Sequence, residues 1–249
     1  MNPVHVIARE RRGGTYGLNI VLGALEDPTR PVRAPLTFAF AATPDELTAE
    51  IARALRSRSS DARVVVLWSF YSPDALTSFD ELASVRALTD DLRVTHVAGG
   101  VHASAQPRAT LDAGFDVVAI GEGESTLRAL VEAVAADAPV AEVPGLAFLD
   151  DQGDEVRTGP AERHGLDMFP AFAPGLRRFN PIEITRGCIY ACRFCQTPYL
   201  FRARFRHRSV ADVGAHVRML RERGMSYVRF ITPSCLSYGS QTETPDLDA

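Results

Sequence analysis

The run 63–68, with Val64-Val65-Val66-Leu67 at its centre, is apolar almost throughout and stands between helix-like segments. A strand that is apolar on both faces has to be covered on both, as in the middle of a parallel sheet. The surrounding chain repeats this pattern. Strand-like segments fall at 4–8, 36–40, 94–98 and 116–120, and helix-like segments at 18–26, 43–55, 74–89, 107–113 and 125–136. Thr43 reads as an N-cap, Pro44 as a first helical residue and Glu46 as the closing member of a capping box. Ile51, Ala54 and Leu55 continue that helix's apolar stripe. Such alternation predicts an α/β fold with a doubly wound parallel sheet. Ligands of such sheets bind at the carboxyl ends of the strands. Gly99-Gly100 and Gly121-Glu122-Gly123-Glu124 occupy two of those ends.

The period changes after residue 145. Residues 146–158 read as a β-hairpin with a Gly153 turn, and 159–174, with Pro160, Pro170 and Pro174, as a linker. A second unit follows: a strand at 182–185, a helix capped by Ser209 and Asp212 that ends near Gly224, and a strand at 227–231. The expected organisation is therefore a first domain over 1–140, a hairpin and linker over 141–176, and a second unit over 177–249.

Three of the four cysteines lie within eight residues, as Cys188, Cys192 and Cys195 in a C-x3-C-x2-C spacing just after a short strand. One loop can wrap one metal centre with them. A structural zinc site takes four protein ligands. Three thiolates on an iron–sulfur cluster leave one iron open for a small ligand. The competing readings are a zinc knuckle completed by His207, and chance clustering. Cys235, at a strand end, reads as a buried or pocket-lining thiol.

The loop from Glu183 to Cys195, with the aromatic Phe194 before the last cysteine, resembles the cluster loop of radical S-adenosylmethionine (SAM) enzymes. Gly99-Gly100-Val101-His102, followed by Gly114-Phe115-Asp116 and Gly121-Glu122-Gly123-Glu124, is similar to the Rossmann-like cobalamin-binding domain that precedes many radical SAM domains. The resemblance spans nearly the whole chain and implies three cofactors: a 4Fe-4S cluster on Cys188, Cys192 and Cys195, SAM beside Phe194 and near Thr232 and Ser234, and cobalamin. For cobalamin it implies contacts from Ser69, Gly99, Gly100, His102, Gly121, Glu122 and Gly123, with Ser72 also near its tail. It further implies reductive cleavage of SAM to a 5′-deoxyadenosyl radical, then methyl transfer or another radical modification of a small-molecule or unknown substrate. An electron donor such as flavodoxin or ferredoxin is the implied partner. Two departures qualify it. The loop Arg9-Glu10-Arg11-Arg12-Gly13-Gly14 holds no histidine, so a cobalamin here is expected without a histidine below the metal. The second unit corresponds to the first part of a partial TIM-type barrel, so the barrel is expected to be truncated and its apolar edge to make the chain unstable or prone to associate.

Charge and composition narrow the alternatives. Net charge is −4, yet residues 177–223 hold eleven arginines against three carboxylates. Within 201–208 aromatics interleave with arginines, a pattern that suits RNA, an anionic substrate, or ion pairs to the acidic first domain. The acidic remainder makes a general nucleic-acid binder the weaker reading. No apolar run approaches the roughly 20 residues that span a bilayer, and the start lacks a leader pattern, so a cytoplasmic location with no membrane partner is expected. Two further functions remain open: a methylthiotransferase-like RNA modifier, which in its family needs more cluster cysteines upstream, and a non-catalytic cobalamin- or metal-binding fragment.

Overall fold

The computed structural model describes every residue except Arg12, 57–60, Asp90, Ala191, Glu243 and 245–249. Arg12 belongs to the loop without a histidine and Ala191 to the cysteine loop, so these two positions lie outside the described residues.

Seven strands form one sheet. In chain order β1 (Val4–Arg9), α1 (Thr15–Glu26), β2 (Leu36–Ala41), α2 (Pro44–Leu55), β3 (Arg63–Ser69) and α3 (Ala75–Thr89) are followed by β4 (Val94–Gly99), α4 (Gly100–Ala105) and α5 (Pro107–Asp112). Then come β5 (Val117–Ala119), α6 (Gly123–Ala135), β6 (Leu146–Leu149) and β7 (Glu155–Arg157). The strand order is β2-β1-β3-β4-β5-β6-β7. The first five strands are parallel, and β6 and β7 add antiparallel to the β5 edge. The hairpin is thus an extension of the sheet.

The apolar run behaves as its pattern dictates. Val64, Val65, Val66 and Leu67 are all buried, with successive side chains on opposite faces. Val64 and Val66 pack with Ile51 and Leu82 below α2 and α3, while Val65 and Leu67 pack with Leu22 and Leu130 below α1 and α6. Thr43 caps α2 by accepting a hydrogen bond from the Glu46 backbone at 3.2 Å, and the Glu46 carboxylate accepts one from the Ala42 N–H at 2.7 Å. Glycine positions were expected to be loop, but α4 starts directly at Gly100 and α6 at Gly123. At Gly100 the first helical residue has φ +87°, backbone geometry that a Cβ would oppose.

The second unit holds β8 (Ile182–Glu183), β9 (Thr185–Arg186), α7 (Thr197–Leu200), β10 (Arg206–His207), α8 (Val210–Glu222) and β11 (Phe230–Ile231). The expected strand at 182–185 is split. β8 pairs parallel with β11, and β9 pairs antiparallel with β10. β8, α8 and β11 form one parallel βαβ unit with a small core of Phe172, Ile182 and Leu220. The last strand is shorter than 227–231: only Phe230 and Ile231 pair with β8, and Tyr227 ahead of them faces solvent, 71% exposed. Cys235 is exposed, contrary to the sequence expectation, because β11 ends at Ile231 and the chain past it runs over the surface. Among the described residues no helix is long and apolar enough to cross a membrane.

The two units are joined tightly. Asn19 of α1 donates to Asn180 Oδ1 at 2.9 Å, and Asn180 Nδ2 donates back to the Tyr16 carbonyl at 2.9 Å. Arg178 pairs with Glu10 at 2.9 Å and stacks 3.7 Å from the Phe40 ring.

Candidate functional site

A cavity of about 190 Å³ opens at the carboxyl ends of β3, β4 and β5. The sheet order turns between β1 and β3, and such a switch point leaves a crevice. The floor is Leu67, Val97 and Ala119, and the walls are Ile20 and Val21 of α1 and Leu127 of α6. These walls exclude water from a flat apolar ligand. The rim carries Ser69, Gly99, Gly100, Gly121, Glu122 and Gly123. Gly100 has φ +87°, and a Cβ there would stand 2.9 Å from Ser69 Oγ. A side chain at that position would be strained and would close the rim.

The structure therefore gathers six of the seven residues expected to meet cobalamin around one slot. His102 stands elsewhere. Its Nδ1 is 3.0 Å from Ser72 Oγ, its ring packs on Phe70 and Phe79, and burial lowers its pKa. Tyr16, absent from the sequence expectations, lines the slot with its hydroxyl buried and without a hydrogen-bond partner among the described residues. Burial, with Glu183 adding to it, raises its pKa, so the phenol keeps its proton and remains a donor. A buried donor without an acceptor is costly unless a ligand supplies one. Apolar walls, a glycine rim and this unpaired donor together fit a large flat cofactor with polar edges. Its place in the glycine loop Gly14-Thr15-Tyr16-Gly17 was the available sequence signal.

Beside the glycine rim the slot is charged. Arg186 of β9 donates from Nη1 to Glu122 Oε2 and Glu124 Oε1, both at 2.8 Å, and from Nε and Nη2 to Glu183 Oε2 at 2.9 and 2.6 Å. Burial alone would lower its pKa, but Glu124, Glu183 and Glu122 hold it well above the usual value. Burial pushes the Glu122 carboxyl up, and Arg186 and Arg206 outweigh it to leave the pKa lowered. Arg206 grips the other oxygen of Glu122. The arginines within 201–208 thus divide between roles: Arg206 and the buried Arg208 are tied into the protein, whereas Arg202 and Arg204 are exposed.

The cysteine loop follows directly. Cys188 is buried, Cys195 half-buried and Cys192 exposed, and all are free thiols. Hydrogen bonds from Thr197 lower the pKa of Cys195. The Cys195 N–H donates to the Cys192 carbonyl at 3.0 Å, so these two share a turn. Three soft thiols on one short loop suit an iron–sulfur cluster in donor chemistry. Among the described residues no three Cys, His, Asp or Glu side chains are gathered as a metal site. Both ring nitrogens of His207, the fourth ligand in the zinc reading, are engaged, with Thr185 Oγ1 at 3.0 Å and the Ser240 carbonyl at 2.7 Å. Phe194 is 93% exposed. Thr232 Oγ1 donates to the Ser234 carbonyl at 2.8 Å. Because β8 and β11 are parallel, Thr232 and Ser234 follow the strand end on the same side as the cysteine loop.

Comparison with known proteins assigns a family through the first part of the chain. The B12 binding domain family matches residues 4–131, which is more than half of the chain. The chain belongs to the B12 binding domain family. Its fold is shared with the cobalamin-dependent SAM radical enzyme OxsB, solved with aqua-cobalamin and SAM, at TM-score 0.68 and 17% identity over 90% of this chain and 32% of that one. It is shared equally with the radical SAM methyltransferase TsrM of Kitasatospora setae, solved with tryptophan and a SAM analogue, at TM-score 0.68 and 21% identity over 92% of this chain and 47% of that one. A Methanocaldococcus jannaschii protein assigned as a methylthiotransferase is 33% identical over 138 residues, 52% of this chain and 28% of that one. The chain thus spans less than half the length of each of these proteins.

Proposed function

We propose that this chain carries the cobalamin slot and the cluster loop of a cobalamin-dependent radical SAM enzyme that transfers a methyl group or otherwise modifies a substrate by radical chemistry. The observation that carries this reading is the glycine-rimmed apolar slot, whose charged end is the residue two before Cys188. In it, Gly99, Gly100, Gly121 and Gly123 allow close approach of the ring, the apolar walls exclude water, and Tyr16 and Ser69 orient its polar edge. Cys188, Cys192 and Cys195 hold the cluster, and Phe194, Thr232 and Ser234 border SAM. When bound, the cobalamin supplies methyl-carrier chemistry and the cluster a single electron to SAM. The substrate, an electron donor such as flavodoxin or ferredoxin, and the unit boundaries at 140 and 176 are parts of the same proposal.

Anaerobic reconstitution with iron, sulfide and cobalamin tests it. The expected result is about four irons and about one cobalt per chain, with 5′-deoxyadenosine released from SAM under a reductant. A chain that takes up neither metal sinks the proposal. Uptake of both without SAM cleavage reduces it to a non-catalytic binding unit. Identity to an assigned methylthiotransferase and, over 71 residues, to a tRNA methylthio-adenosine synthase favours a second reading, methylthio modification of RNA; an RNA product with added sulfur would distinguish it from methyl transfer.

A further inference from the structure

Arg186 does more than balance charge. Its guanidinium joins three carboxylates from two places in the chain: Glu122 and Glu124 beside the slot, and Glu183 of β8. Its cross-strand partner is Arg206, and the two arginines take the two oxygens of Glu122 between them. Arg206 is in turn fixed by the His164 carbonyl at 2.6 Å. Glu122 sits between Gly121 and Gly123, on the rim that a ligand of the slot would touch.

On the other side of Arg186 the chain is equally constrained. Gly187 has φ +84°, and a Cβ on it would lie 1.9 Å from the Arg204 carbonyl oxygen. That close approach locks the turn between Arg186 and Cys188, which is 9% exposed. The Glu122 rim and the first cysteine are therefore joined by one fork and one tight turn. A planar guanidinium holding three partners transmits direction as well as charge, which an ammonium cannot do.

We infer that Arg186 is a positioning residue that couples occupancy of the glycine-rimmed slot to the placement of Cys188. The inference rests on the reading of the slot as a cobalamin site. It predicts that a ligand in the slot, by steadying Glu122, suppresses the local opening that exposes the Cys188 thiol. Coupling of the usual size between two sites corresponds to at least about a fivefold change.

The test is alkylation of the cluster-free, reduced full chain with iodoacetamide, read per cysteine by peptide mass spectrometry, with and without saturating cyanocobalamin. Retention of cobalamin on gel filtration is recorded separately. In the native chain cobalamin should slow labelling of Cys188 at least about fivefold, while the exposed Cys235 labels at an unchanged rate. In Glu183→Gln, which keeps the side chain's shape but removes the ionic grip on the fork away from the rim, cobalamin should still be retained and the Cys188 ratio should fall towards one. Arg186→Lys, which keeps the charge but not the fork, is measured in parallel and should lower the same ratio. Cobalamin retained by the native chain with no slowing overturns the coupling and leaves the slot reading intact. So does equal slowing in the native chain and both variants. Loss of cobalamin in Glu183→Gln alone makes Glu183 a plain ligand of the slot and also overturns the relay. No retention by the native chain overturns the slot reading itself.

Discussion

Trp68 and His96 lie side by side in the sheet core, and the indole N–H donates to His96 Nδ1 at 3.3 Å. The other ring nitrogen, Nε2, is buried without a partner among the described residues. Burial, with Arg86 adding to it, lowers the His96 pKa from 6.5 to about 3. The folded protein therefore keeps this ring neutral where the unfolded chain would protonate it. Between pH 6.5 and about 3 the unfolded state binds the extra proton, so stability falls on acidification across that window and levels off below it. The slope from this one group reaches about 1.4 kcal/mol per pH unit. His96→Asn keeps an acceptor for Trp68 but cannot titrate. Urea unfolding of both proteins at several pH values below 6.5 should show a shallower loss of stability in the variant, whatever its stability at neutral pH. Parallel pH profiles would show that the ring does not titrate as its burial requires.

Among the elements, β11 is the weakest. It is two residues long, pairs on one side only with β8, and leaves Phe230 53% and Ile231 39% exposed. An unpaired apolar edge recruits another strand. The chain is therefore expected to associate with rising concentration, and Phe230→Ser with Ile231→Thr to reduce that association in sedimentation velocity. A native chain that stays monomeric at every concentration would contradict this. The same element marks how far the sequence could be read. The central strands of the first sheet were legible because β1, β3 and β4 bury residues on both faces and print apolar runs, as 63–68 does most strongly. The two caps were legible because Thr43 and Ser209 bond their helices locally. The split of 182–185 between two partners was not, since pairing with β10 and β11 depends on residues twenty or more positions away. In the site, the glycines announced the rim and the cysteines the loop. Tyr16 and Arg186 did not stand out, because an unpaired hydroxyl and a four-way charge cluster exist only once distant elements meet.

At the scale of the whole molecule the two candidate centres rest on different supports. The slot is built from α1, α6 and the ends of β3, β4 and β5, and its walls are part of the sheet's own core. The cysteine loop hangs from the short β9–β10 pair and is tied back to the slot chiefly through Arg186, with Gln196 donating to the Val101 carbonyl at 3.1 Å. Removing the three thiols leaves every wall of the slot in place. Replacing Cys188, Cys192 and Cys195 by Ala together should therefore abolish iron uptake while cobalamin retention stays close to that of the native chain. Filling the rim is the converse experiment: Gly100→Leu introduces a branched side chain where a Cβ already meets Ser69 Oγ at 2.9 Å and φ is +87°. That variant should lose cobalt and keep iron. Metal analysis of the two anaerobically reconstituted proteins reads both outcomes at once. Loss of both metals in the triple cysteine variant would mean that the cluster organises the slot, reversing the dependence that the shared core of sheet and slot dictates.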